Sequence, residues 1–374
     1  MMIERILSKK IKDRLFKGKT IVLIGARQVG KTTLVRKILH EQEFLFLDGD
    51  DPLIKQQLTN PNTKQIETIL GNSKIVFIDE AQRIENIGIT AKIIHDQFHQ
   101  VQLILSGSSA FELRNHTNEP LTGRKFEYFL YPISYEEYEQ SVGYLDAIRD
   151  LETRLIFGFY PEVINHRGEE RAVLNEITQS YLFKDILSFA NIKKPEVLEK
   201  ILQALAFQVG NEVSYNEIGL LTGVDKNTVS NYINLLELSC IVYPLTSFSR
   251  NLRNEIKTNR KIYFYDNGIR NAIIQNFNPI ELRNDIGALW ENFLVTERLK
   301  RNHYHRKYCN TYFWRTKQQQ EIDYLEEADG KITAFEFKWN PNAKIKIPGS
   351  FAEAYNPEFH VISRDNFREF VCAL

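Results

Sequence analysis

Apolar positions along the chain fall into short blocks separated by polar or glycine-rich turns, and the spacing inside each block indicates its element. Ile3, Ile6, Leu7, Ile11 and Leu15 recur at helical spacing, which predicts an amphipathic helix over residues 3–16. Ile21-Val22-Leu23-Ile24 is a continuous run suited to a buried strand, and residues 33–39 read as the start of a helix. Further buried strands are expected at 44–47, 74–78 and 101–105. They end in Asp48-Gly49-Asp50-Asp51-Pro52, Asp79-Glu80 and Ser106-Gly107-Ser108-Ser109. Short apolar strands alternating with helices imply βαβ units and a parallel sheet, whose ligands sit outside the carboxyl ends of the strands. The polar endings are therefore expected to share one edge.

Between the first strand and its helix lies G-x-x-x-x-G-K-T, formed by Gly25, Ala26, Arg27, Gln28, Val29, Gly30, Lys31 and Thr32, with Thr33 next. The glycines let successive N–H groups turn around phosphate oxygens, and the following helix presents its positive end to the same anion. Lys31 is expected at the β- and γ-phosphates and the Thr32 hydroxyl on Mg²⁺. Asp79 ends a buried strand, where a carboxylate can hold Mg²⁺ through water, and Glu80 is placed to orient or deprotonate the attacking water. Ser106 or Ser108 is a candidate contact to the γ-phosphate or the water; serines at strand ends also serve simply as turn residues. Arg124 precedes a strand expected at 126–130, either as a phosphate-sensing or finger arginine or as a surface cation. Ser134 followed by Glu137 predicts a capping box.

The pattern is mostly helical from 135 to 190, broken at Gly158-Phe159-Tyr160-Pro161. From Pro195 the spacing gives a helix, then two more at 214–221 and 225–238 around a Thr222-Gly223-Val224 turn, a helix-turn-helix spacing with a wing strand starting near 241–243. The residues that would face DNA are Lys226, Asn227, Ser230 and Asn231, and only one is basic. Phosphate neutralisation drives DNA affinity, so a structural or protein-contact role is favoured there. Strands are expected at 311–315, 320–325 and 331–338, with Asp329-Gly330 as a two-residue hairpin loop. Counting back from that loop sets Asp323 opposite Glu336, with Lys338 two residues on. That clusters two carboxylates and a lysine in the D…E-x-K arrangement of restriction-enzyme-like nucleases, in which the acids hold a divalent metal. Glu291, in Gly287-Ala288-Leu289-Trp290-Glu291, is a candidate further ligand. Residues 298–320 carry seven Lys or Arg and no acid, which suggests a phosphate-attracting face. A solvated hairpin with cross-strand ion pairs explains the same acids and lysine.

The length of 374 residues suggests two or three domains. Lys+Arg and Asp+Glu both number 48, so any nucleic-acid contact must come from a local patch. Cys240, Cys309 and Cys372 fit no metal spacing. No apolar run resembles a signal peptide or a membrane span, and a soluble, cytoplasmic protein is expected.

With these motifs in view, the chain resembles the bacterial and archaeal AAA-type ATPases that carry a poorly characterised carboxyl-terminal domain. The resemblance rests on residues 25–33, 75–82, 105–109, Gly123-Arg124, Pro132-Ile133-Ser134, 158–161, 261–268 and the acidic motifs near the end. It implies an α/β fold: a P-loop parallel-sheet ATPase core (1–140), a helical lid-like segment (141–194), a winged helix (195–256) and a nuclease-like α/β domain (257–374). No clear second sensor arginine is found in the helical segment. The expected function is Mg²⁺-dependent ATP binding with slow hydrolysis, controlling a nuclease-like domain that acts on nucleic acid. The alternative is a nucleotide-gated binding or regulatory module whose nuclease-like domain is inactive. Expected partners are ATP and ADP, with DNA or RNA, a protein bound through the winged helix, and further copies of the chain as candidates.

Overall fold

In the computed structural model the described residues are 3–108, 120–182, 195–249, 260–316, 318–343 and 345–373. Ser109, Lys317 and the end of the expected helical stretch at 183–190 lie outside them. The chain divides into one unit of residues 2–132 with 238–240 and another of 133–237 with 241–374. Among the described residues no helix is long and apolar enough to cross a membrane.

The first unit is built on five parallel strands: β1 (Thr20–Ile24), β2 (Leu45–Asp48), β3 (Ile75–Asp79), β4 (Gln102–Gly107) and β5 (Lys125–Phe129). Their order is β2-β3-β4-β1-β5. β1, β3 and β4 are buried along their whole length, as continuous apolar runs in a covered parallel sheet must be. Because β4 lies between β1 and β3, the residues after these three strands come out side by side. In register, Ile24 pairs with Gly107, Ile78 with Leu105, and Asp48 with Asp79. The helices are α1 (Leu7–Lys12), α2 (Lys31–Ile38), α3 (Pro52–Leu58), α4 (Thr63–Leu70) and α5 (Ile87–Gln97). α1 is much shorter than the 3–16 the periodicity suggests. Its amino end has no side-chain cap, Arg5 is drawn into contacts elsewhere, and Phe16 takes a left-handed φ of 56°.

The second unit opens with the predicted capping box: Ser134 and Glu137 cap Tyr135–Val142 reciprocally. Its sheet has seven strands in the order β12-β11-β10-β9-β7-β8-β6. These are β6 (Glu212–Val213), β7 (Val242–Ser247), β8 (Arg260–Phe264), β9 (Asn310–Arg315), β10 (Glu321–Ala328), β11 (Lys331–Phe337) and β12 (Glu358–Ile362). The expected boundary at 256/257 falls between β7 and β8, which pair antiparallel, and β7 also pairs with β9. The Asp329-Gly330 loop forms as read, both residues at positive φ, and Ala328 pairs with Lys331.

The helix Ile286–Tyr304 is held to β10 by buried charge. Arg298 donates Nε and Nη2 to the two oxygens of Glu326 at 2.7 and 2.8 Å, and Asn302 and Lys307 add bonds at 2.7 and 3.0 Å. Burial alone would raise the Glu326 pKa; the Arg298 guanidinium and these partners reverse that and hold it at about 2. A carboxyl depressed on folding stabilises the fold above its unfolded pKa, near 4.5, and loses that contribution as pH falls through its folded one. Over that window the loss is on the order of 3 kcal/mol. Denaturant unfolding followed from pH 5 to pH 2 should show this acid loss in the parent protein and a flatter slope in Glu326→Gln. Identical slopes would remove Glu326 from the acid response.

Candidate nucleotide site and carboxyl-terminal acidic cluster

The loop between β1 and α2 is shaped by two glycines. A β-carbon on Gly25 would lie 2.1 Å from the Leu130 carbonyl oxygen, so only glycine fits against the chain leaving β5. Gly30 has φ +93° and Gln28 +61°, which turns the backbone before α2 begins at Lys31. Ala26 and Val29 are buried, Arg27 and Gln28 half-buried, and Thr33 exposed. Lys31 is buried with Nζ donating to the Gly25 and Ala26 carbonyls at 3.0 and 2.9 Å. Burial lowers its pKa, while the charges of Glu80 and Asp79 pull the other way. The ammonium is thus stored inside the loop, facing two acids.

Asp79 joins the ends of two strands and the start of a helix. Its Oδ2 accepts from Thr32 Oγ1 at 2.5 Å and its Oδ1 accepts from Ser106 Oγ. Ser106 belongs to β4 and Thr32 to α2, so strand order alone delivers these partners. Glu80 follows in a left-handed conformation, φ 46°, which turns its side chain out of the strand's alternation. Its Oε2 accepts from Gln82 Nε2 at 2.6 Å and Ser108 Oγ at 3.3 Å, and Gln82 also reaches Ser108 at 3.0 Å. Gln82 and Gly49 carry no role in the sequence reading. A β-carbon on Gly49 would sit 2.4 Å from the Glu80 carbonyl oxygen, so this glycine permits β2 to close against the acidic turn.

Arg124 is elsewhere. It precedes β5, its carbonyl accepts from the Thr20 N–H at the start of β1, and its Nε donates to Asp96 at 2.8 Å. That is the amino edge of the sheet, and five residues of strand span roughly 16 Å. A phosphate-sensing role for Arg124 in its own chain is therefore corrected: it is half-exposed and paired with an acid at the opposite edge.

In the second unit the hairpin register runs Tyr324 to Phe335 through Ala328 to Lys331, and counting one step beyond it sets Asp323 opposite Glu336. Asp323 is buried and accepts from the Phe337 N–H at 2.8 Å, while Lys338 Nζ meets Glu336 at 2.9 Å. Burial raises both carboxyl pKa values, and the nearby Asp323 charge raises Glu336 further. Burial opposes the Lys338 charge, but Asp323, Glu336 and Glu291 outweigh it and raise its pKa. Glu291 joins from the helix Ile286–Tyr304, with its carboxyl pushed up to about 7 by burial against the pull of Lys261.

Two residues without an assigned role complete the cluster. Lys261, fully buried on β8, binds Glu291 at 2.9 Å and Glu321 at 2.5 Å, and Tyr263 donates to Glu291 at 2.6 Å. Alternation on β8 puts both on one face, but nothing in the local sequence ties them to acids 28 to 60 residues away. Among the described residues no three His, Cys, Asp or Glu side chains are grouped to hold a metal ion. The basic run of 298–320 is also corrected as an open phosphate-attracting face. Arg298 and Lys300 are buried against Glu326 and Glu297, Lys307 pairs with Glu326, and Arg315 lies 3.7 Å from Glu321. The acids that absorb these charges lie outside the run, so its composition misleads.

Comparison with known proteins follows the same division. Residues 17–139 match a family described as AAA domain, and 148–279 and 286–369 match two domains of unknown function (DUF8612 and DUF4143). An uncharacterized protein of Mycobacterium tuberculosis is 25% identical over 346 residues, covering 90% of this chain and 74% of that protein. One of Haemophilus influenzae is 26% identical over 280 residues, 68% of each. Among solved structures, a Walker-type ATPase of Pyrococcus abyssi superimposes with a TM-score of 0.51 at 15% identity, over 73% of this chain and 96% of that one. That likeness speaks to fold, and the sheet order and phosphate loop agree with it. Residues 17–139 thus form an AAA domain of the ATP-binding type, and the chain continues into domains of unknown function.

Proposed function

We propose that the first unit binds ATP with Mg²⁺ and hydrolyses it slowly, and that nucleotide state controls a nuclease-like carboxyl-terminal domain acting on nucleic acid. The observation that carries the nucleotide half is the Thr32–Asp79–Ser106 junction beside a buried Lys31. A hydroxyl and a carboxylate 2.5 Å apart are the donor set a hard divalent cation takes. In that role Thr32 and Asp79 hold Mg²⁺, which supplies charge neutralisation on the phosphates. Lys31 and the loop N–H groups bind the β- and γ-phosphate oxygens. Glu80 orients the attacking water and accepts its proton. Gln82 and Ser108 both hold Oε2 of Glu80, which orients the carboxylate so that Oε1 can meet the water. Arg124 would reach a phosphate only in a neighbouring copy of an oligomer.

For the second half, Asp323 and Glu336 would share a Mg²⁺ or Mn²⁺ ion with Lys338 serving the water, and Glu291 would add a ligand on release from Lys261 and Tyr263. The order β6-β8-β7 with the helices Tyr215–Thr222 and Lys226–Leu238 supports a winged helix. Asp225 accepts from the Asn227 and Thr228 N–H groups at 2.8 and 3.1 Å, placing an acid where a phosphate would dock. That favours a protein contact there. A second reading is favoured by Lys261: its ammonium already lies among the acids, so the nuclease-like domain would be an inactive docking module.

Two measurements test this. By calorimetry Lys31→Ala should lose tenfold or more in ATP affinity, about 1.4 kcal/mol, while Glu80→Gln should bind ATP and turn it over about a hundredfold more slowly. Parent-like affinity in folded Lys31→Ala, or parent-like turnover in Glu80→Gln, would remove those roles. Melting without nucleotide separates the two readings. An active metal site gives a Mn²⁺-dependent rise in the parent that disappears in Asp323→Ala; the lysine-filled site gives none in the parent and a rise in Lys261→Gln.

A further inference from the structure

Arg5 lies outside the stretch that matches the AAA domain, and among the described residues of the first unit it is the one buried arginine. Its Nη1 donates to the Val29 carbonyl at 2.8 Å and its Nη2 to the Tyr131 carbonyl at 2.6 Å. One guanidinium thus bridges the phosphate loop and the chain leaving β5, 24 and 126 residues away. The preceding residue, Glu4, pairs with Lys37 on α2, so the segment before α1 grips both the loop and the helix it opens. No peptide bond in the described chain is cis. In a trans peptide the carbonyl oxygen and the next N–H point in opposite directions. With the Val29 oxygen drawn toward Arg5, the Gly30 N–H faces away from it. Gly30 is the residue whose φ of +93° makes the final turn, and Arg5 Nη1 stands 4.0 Å from where its β-carbon would be. A glycine peptide with no side chain to fix it can otherwise flip at little cost.

We propose that Arg5 is a positioning residue for the phosphate site: it locks the Val29–Gly30 peptide so that the Gly30 N–H points at the β-phosphate. The proposal rests on the nucleotide reading of the loop, and inorganic pyrophosphate and ADP are the probes. Calorimetry on the full chain should show Arg5→Ala weakening both by about tenfold, an equal factor because both place a phosphate at Gly30. Guanidinium ion at low millimolar concentration should recover part of the loss, which general destabilisation would not allow. Glu4→Gln, which loosens the same segment without touching the loop, should bind pyrophosphate as the parent does. If Arg5→Ala does not fold, Arg5→Lys keeps the charge but not the two-carbonyl bridge, and a loss of threefold or more is expected. Parent-like pyrophosphate affinity in the folded Arg5 variant, or an equal loss in Glu4→Gln, overturns the proposal. Absence of ADP binding in the parent overturns the loop reading and the proposal together.

Discussion

Three segments far apart in sequence converge on one carboxylate. Asp79 takes the Thr32 hydroxyl on one oxygen and the Ser106 hydroxyl on the other, so the start of α2 and the ends of β3 and β4 are fixed relative to one another. The constraint works only because β4 separates β1 from β3 in the sheet. Were β1 and β3 neighbours, the phosphate loop would abut Asp79 and Ser106 would be left to one side. Everything else at this edge is arranged around that point: Glu80 turned outward, Gln82 and Ser108 on its far oxygen, and Gly49 giving room for β2.

The second unit solves the opposite electrostatic problem. Its acids are buried, and buried carboxylates require cations or protons. Arg298 holds the Glu326 pKa down at about 2, whereas that of Glu291, with Lys261 and Tyr263 as partners, is still pushed up to about 7. A carboxyl that remains strained with a lysine beside it retains a drive toward a stronger cation. The same lysine also blocks the simplest route to one. The two readings of this domain are the two ways of resolving that balance.

Much of the first unit, and two features of the second, were legible in the sequence because their signals are local. A continuous apolar run, a glycine turn and a Lys-Thr pair specify β1, the loop and α2 within thirteen residues, and the Asp-Gly loop sets the β10–β11 register by counting alone. The capping box at Ser134 formed for the same reason. What failed was non-local. Arg124 was open between a phosphate contact and a surface cation, and the start of β5 places it at the other edge with Asp96. The helix at 3–16 was truncated because Arg5 serves carbonyls 24 and 126 residues away. The basic run at 298–320 looked open because Glu297, Glu321 and Glu326, which absorb most of its charge, flank it in sequence and meet it only on folding. Lys261 was invisible for the converse reason: a lysine in an apolar strand reads as an edge residue, and only the sheet shows it among acids.

The account turns on Asp79 holding a cation shared with Thr32. The most direct measurement is ATP affinity with and without Mg²⁺ in the parent and in Asp79→Asn, which keeps the shape and removes the charge. The parent should bind ATP at least tenfold more tightly with Mg²⁺, and Asp79→Asn should lose most of that enhancement while keeping its Mg²⁺-free affinity. A full Mg²⁺ enhancement in folded Asp79→Asn would contradict the account.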